Sequence, residues 1–459
     1  MSLLRPIGFL ACSLLFLGAC SDSNEGPAPT PSDDQLALSG GETTVFLSDP
    51  DAFGTVAPNV AGESFTEHEE GDELFDLDFV ADAGLPNSGL GPRFNNISCS
   101  SCHESDGRGR PPAPGEKFES ILLRVSTEGQ NTNGGPLGLP GFGDQLQLRA
   151  IPGFQPEADA SITWQPITGT FSDGLPYSLR KPTFVITDGF QPLPGGLLVS
   201  PRVGQAVFGL GLLEAVDEST ILSHADPADA NGDGISGRPN YVWDRAAGQT
   251  VIGRFGWKAN QPTLRQQTAS AFNGDMGVTS NLLPAENCEG TPGCEAHAAE
   301  ASDEVVDLVT HYIRTLGVPA RRELQDARAR RGSRLFAISG CANCHLPELR
   351  TGSLPGVPEV SNQVIRPYTD LLLHDMGPGL ADGRPDFQAS PSEWRTPPIW
   401  GIGLTQTVSN HTEFLHDGRA RSLEEAILWH GGEAEKAQLA FRKLAAGDRA
   451  ALLAFLNSL

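Results

Sequence analysis

Two pentapeptides constrain this chain more than anything else in it: Cys99-Ser-Ser-Cys102-His103 and Cys341-Ala-Asn-Cys344-His345. Cys-x-x-Cys-His is the attachment pattern of a c-type haem, because the two thiols reach the two vinyl groups of one porphyrin and the next histidine meets the iron from the proximal face. A zinc site would call for a second cysteine pair or a histidine pair close by, and the two pentapeptides lie far apart in the chain. The expectation is two covalent haems c, held by Cys99, Cys102, Cys341 and Cys344, with His103 and His345 as proximal ligands.

The other cysteines fit an exported protein. Arg5 precedes an apolar run over 7–17, and Gly18-Ala19 stand before Cys20, which together read as a secretory signal peptide over 1–19 with a lipid-accepting cysteine at 20. Cys12 would leave with the signal. The run is too short for an ordinary membrane span. Residues 20–45 then form the lipidated N-terminus and a flexible tether, as a Ser, Pro, Asp and Gly-rich composition dictates. The expected place is the periplasm of a Gram-negative bacterium, anchored by the lipid to the outer membrane, with no other membrane contact. Cys288 and Cys294 flank a turn-rich segment, and in an oxidising compartment that spacing predicts a small disulfide loop.

The formal charge is -25, with a dense acidic stretch from Glu63 through Asp78. Such a surface argues against a nucleic-acid partner and suits a basic electron donor, a small cytochrome or a cupredoxin. Small residues and aromatics recur upstream of both haem motifs, as Gly71-Asp-Glu-Leu74-Phe75 and Gly332-Ser-Arg-Leu335-Phe336, which looks like one unit used twice. A helix is predicted over 302–316 from its cap and apolar spacing, and, by similarity to cytochrome c domains, in which a helix with a small residue and an aromatic precedes the haem motif and crosses the last helix, two more over 327–337 and 448–459. The fold reads as mainly α, with two cytochrome c-like haem domains, long loops and a Gly/Pro-rich middle containing short strands. The divisions are an N-terminal haem region over 46–130, a loop-rich middle over 131–300, and a C-terminal cytochrome c domain over 301–459.

Asp229-Ala-Asn231-Gly-Asp233-Gly234-Ile235 places oxygen donors at positions 1, 3 and 5, a glycine at 6 and a backbone carbonyl at 7, the first half of a calcium loop. Position 12 is Asn240 where a bidentate Glu is usual. Calcium is therefore expected on Asp229, Asn231, Asp233, Ile235 and Asn240. For the distal ligand of the C-terminal haem, Ser422 and Glu425 form a capping box, and Leu423, Ala426, Ile427 and His430 share one helical face, so His430 points inward. Met376 is the alternative and would raise the potential of that haem. His68, His224 and Met276 are candidate sixth ligands for the first haem.

With these motifs in view, the chain resembles the superfamily of di-haem cytochrome c peroxidases and the methylamine-utilisation di-haem enzyme, and more closely the di-haem oxidoreductases often labelled thiol oxidoreductases. Arg395-Thr396-Pro397, His416-Asp417-Gly418-Arg419 and Leu423-Glu424-Glu425-Ala426 match the stretch that carries the distal ligand in the peroxidases. His430 falls where those relatives have Met or Tyr. The resemblance implies a peroxidase-like oxidoreductase in which one haem relays electrons and the other, open on its distal side, meets peroxide or another small redox substrate. The alternative is a non-catalytic di-haem electron carrier. It also implies calcium between the haems and a bridging aromatic, for which Trp257 is the candidate. The relatives' distal Gln and Glu have no clear match, leaving Asp144, Gln145 and Glu157 as candidates for acid-base work. Every Cys-x-x-Cys is committed to haem, so the thiol label finds no support.

Overall fold

The computed structural model describes residues 31–288, 291, 294 and 298–459. The signal segment and Cys20 lie outside the described residues. Six helices bear on the site: α1 (Glu63–Asp76), α2 (Leu264–Met276), α3 (Asp303–Thr315), α4 (Ala327–Ile338), α5 (Leu423–Trp429) and α6 (Ala446–Ser458). Ser302 caps α3 by accepting from the Val305 amide, Asp326 caps α4 through Ala329, and Ser422 caps α5 through Glu425.

Two helix crossings organise the chain. α1 lies across α3, where Gly71 is so close that an added Cβ would stand 2.3 Å from the Leu308 carbonyl oxygen. α4 lies across α6, where a Cβ on Gly332 would stand 1.9 Å from the Ala451 oxygen. One turn further along each helix an aromatic pair closes the contact, Phe75 on Tyr312 and Phe336 on Phe455, both at 5.2 Å between ring centroids. Each crossing seeds its own apolar core, one around Phe75, Val309 and Tyr312, the other around Phe336, Leu452 and Phe455. The segment 301–459 thus opens with a helix that packs in the N-terminal unit, and the two helix-crossing units interleave along the chain.

The expectation of a mainly α fold is corrected. The chain is 29% helix and 21% strand, with the strands dispersed in many small sheets. The strands that matter here are β1 (Ile121–Gln130), β2 (Ala158–Thr170), β3 (Pro176–Asp188), β4 (Leu198–Val203), β5 (Leu373–Asp375) and β6 (Glu393–Arg395). β1 pairs antiparallel with β4, β5 with β6, and β2 with β3 in a hairpin running from Ala158 opposite Asp188 to Thr170 opposite Pro176. Pro166 and Pro182 hide this hairpin from a pattern search. A proline amide donates no ladder bond, but in a two-stranded ribbon every strand has an unpaired edge that tolerates it.

Candidate functional site

Each Cys-x-x-Cys-His segment is a tight turn. The His103 amide donates to the Cys99 carbonyl and the His345 amide to the Cys341 carbonyl, both at 3.0 Å. The turn gathers two thiols and an imidazole on one side of the backbone. None of the four thiols is disulfide-bonded. All six side chains line one cavity of about 480 Å³, walled by apolar groups including Phe75, Phe208, Trp400 and Leu452. Burial pushes the Cys102 and Cys341 thiols up to about 12 and that of Cys99 higher still. They are therefore unlike the low-pKa thiolates of dithiol redox centres.

The imidazoles are prepared as ligands. His345 Nδ1 donates to the Tyr368 carbonyl at 2.9 Å and His430 Nδ1 to the Ala426 carbonyl at 2.7 Å, so each keeps Nε2 for the cavity. Such a backbone bond fixes the tautomer and aims the ring. Burial pulls His345 to about 4 and lowers His103 and His430, which favours the neutral, iron-binding form. His430 lies near enough to His345 for a charge on it to lower the His345 pKa further. His430 terminates α5 as its C-cap, and Met376, which follows β5, lines the same cavity. His103 Nδ1 is buried without a well-formed hydrogen bond, although the backbones of Gly107 and Gln205 lie close enough to favour its protonation. Phe75 and Phe336 stand in matching positions, 6.4 Å from His103 and 6.2 Å from His345.

Two further histidines line the cavity. His374 gives Nε2 to Asp370 at 2.8 Å and Nδ1 to Glu433 at 2.7 Å, beside the Cys344 sulfur at 3.6 Å. These carboxylates raise its pKa well above the usual value despite burial. His416 stacks on Trp394 at 3.9 Å and sits 6.5 Å from Trp257. Trp257 lines the cavity with its Nε1 donating to the Val203 carbonyl at 2.8 Å. Donor set, apolar walls and free Nε2 atoms together suit haem.

A family described as "Di-haem oxidoreductase, putative peroxidase" matches residues 34–459. The chain belongs to this di-haem oxidoreductase family. No curated protein matches it. A solved structure of Kuenenia stuttgartiensis hydrazine synthase, pressurized with xenon, aligns over 100% of both chains at 12% identity with a TM-score of 0.36.

Other residues singled out in this di-haem oxidoreductase by its sequence fall in different places. Asp144 is exposed, paired with Arg124 at 3.3 Å. Gln145 is buried and donates to the Gly274 carbonyl and to Asp275 Oδ1 at 2.8 Å. Glu157 is fully buried, accepts from the Gln147 amide at 2.8 Å, and is pushed by desolvation up to about 8. None of these three lines the cavity, whereas Asp275 does, its carboxyl raised by burial and close enough to act on both Cys99 and Cys102. Asp275 was missed by the motif search. Its signal is the spacing Gln267, Ala271, Asp275 along α2, one helical stripe whose members all line the cavity. Among the candidate sixth ligands of the first haem, His224 is exposed, and His68 bonds Thr315 at 2.7 Å inside the α1–α3 contact. Met276 alone of the three lines the cavity.

In the loop at 229–235, Asp229 accepts from the Gly234 amide, Asn231 from Asp233 and Asp233 from Ile235. Asn240 is fully buried, and its amide is committed to the backbones of Lys258, Asp386 and Gln388. The loop is docked on the C-terminal unit by Ser236 to Glu433 at 2.6 Å and by Lys436 to the Asp233 carbonyl. Cys288 and Cys294 are disulfide-bonded.

Proposed function

We propose that the chain is a c-type di-haem oxidoreductase of the peroxidase kind, with a six-coordinate relay haem on His345 and His430 and a reactive haem on His103. The observation that carries this reading is the asymmetry of the cavity. The C-terminal motif has two imidazoles with Nδ1 tied to backbone and Nε2 free, while on the N-terminal side His103 has no such backbone-tied partner, the other cavity histidines among the described residues being His374, held by two carboxylates, and His416, stacked on Trp394. Haem supplies one-electron chemistry and, where its distal side is open, a place for peroxide to bind. Asp275, oriented by Gln145, is the carboxyl placed to hold a proton beside the N-terminal motif. Trp257, on the wall of the same cavity, is the aromatic residue in this reading that connects the two haems. Attachment through Cys99, Cys102, Cys341 and Cys344, calcium on the loop at 229–235, an export signal with lipid on Cys20, a periplasmic address and a small cytochrome or cupredoxin donor belong to the same proposal.

The second reading, a di-haem electron carrier, is favoured by Met276, whose buried thioether lines the cavity. Purified protein separates the two. Haem retained after denaturation and rapid peroxide-dependent oxidation of a reduced c-type cytochrome are expected. Covalent haem with no peroxide turnover would leave the carrier, and absence of covalent haem would remove both.

A further inference from the structure

In a chain of formal charge -25, the cavity is lined by four arginines, Arg108, Arg124, Arg202 and Arg395. Two are neutralised, Arg124 by Asp144 at 3.3 Å and Arg202 by Asp386 at 2.9 Å. The other two form no ion pair among the described residues. Arg108 gives one bond, from Nη2 to the Leu415 carbonyl at 2.8 Å, and its Nε is buried with no partner. Arg395 is 3% exposed and all its acceptors are neutral: the Gly256 carbonyl, the Thr396 carbonyl and Gln205 Oε1. Desolvation pulls each only to about 10, so both stay cationic at neutral pH. A buried, unpaired guanidinium is strongly unfavourable unless an anion completes it, and its planar fork suits a carboxylate.

Their placement assigns one to each unit. Arg108 follows the first motif by five residues and shares with Cys102 the wall of a second, smaller pocket. Arg395 ends β6, paired with the β5 strand whose His374 touches the Cys344 sulfur. They meet at Trp257: the Arg108 guanidinium lies 5.8 Å from the indole ring, and the Arg395 amide donates to the Trp257 carbonyl at 2.9 Å. We propose that Arg108 and Arg395 are the propionate anchors of the cavity, Arg108 for the N-terminal haem and Arg395 for the C-terminal haem, bringing one carboxylate of each to the Trp257 seam. This rests on the di-haem c-type reading above.

The test is a spectroelectrochemical titration of the holoprotein from pH 6 to 9, comparing wild type with Arg108→Gln, Arg395→Gln and their Lys counterparts. Loss of the cation leaves a buried propionate uncompensated. The anion then lowers the potential of its own haem, and its raised pKa makes that potential fall with rising pH. Each Gln variant is expected to lower and make pH-dependent the potential of one haem only, with Lys restoring much of the wild-type value. Arg110→Gln, which removes an exposed pair with Glu116, is expected to move neither haem. Potentials unmoved in both Gln variants, or both haems moving together in each, would overturn the assignment. If a Gln variant fails to assemble, the Lys variant decides, since a pairing cation shifts the affected potential only slightly and an uninvolved residue not at all beyond Arg110→Gln. Wild-type protein without two covalent haems would instead refute the underlying reading.

Discussion

At the scale of single residues, the proposed ligand His430 would set the character of the C-terminal haem. A bis-histidine iron has a lower potential than a His/Met iron, so His430→Met is expected to raise that potential while leaving the other haem unchanged, as read in a redox titration. Glu157 makes a separate prediction, because it lies away from the cavity and its pKa is raised from 4.5 to about 8 by burial. Between those values the folded chain holds a proton that the unfolded chain has released, so its contribution to stability is lost as pH rises from about 4.5 to about 8. Glu157→Gln keeps an acceptor for the Gln147 amide and has no charge to bury. Relative to wild type it should melt at a similar temperature at pH 4 and be more stable at pH 9, by on the order of 5 kcal/mol. Haem spectra unaltered in this variant would agree with its distance from the cavity.

At the scale of elements, the repeated Gly and Phe of α1 and α4 are the structural signature of the two units. Ala at either glycine would gain about 1 kcal/mol of helix propensity. That gain is outweighed, because the new Cβ would meet a backbone carbonyl of the crossing helix at 2.3 or 1.9 Å and the helices would have to part. Gly71→Ala and Gly332→Ala are each expected to cost about 1–3 kcal/mol in thermal melts. Gly447→Ala, with open space around it, is expected to be neutral or slightly stabilising. The motif turns and the cap of α5 were legible in the chain because caps and covalent chemistry are local, and α4 and α6 because their small residue and aromatics match the helix pair of cytochrome c domains. The closing role of α3 was not, since its partner α1 lies more than two hundred residues earlier and no local pattern in α3 points to it. The β2–β3 hairpin escaped because two prolines interrupt its alternation. Asp275 escaped because its meaning depends on which stripe of α2 faces the thiols.

At the scale of the molecule, one cavity joins the two units, and the loop at 229–235 clasps the C-terminal one through Glu433 and Lys436. If calcium fills that loop, Asp229→Ala combined with Asp233→Ala should lower the melting temperature in calcium but not in chelator. Equal losses in both would mean that the carboxylates serve only the Asx turns seen with Gly234 and Ile235. The central claim is the division of labour between an open iron on His103 and a closed one on His345 and His430. Low-temperature EPR of the purified ferric protein with calcium present tests it most directly. The account predicts a high-spin signal from about half the haem together with one low-spin bis-histidine signal. Two low-spin signals in the oxidised protein, both persisting after partial reduction, would contradict it.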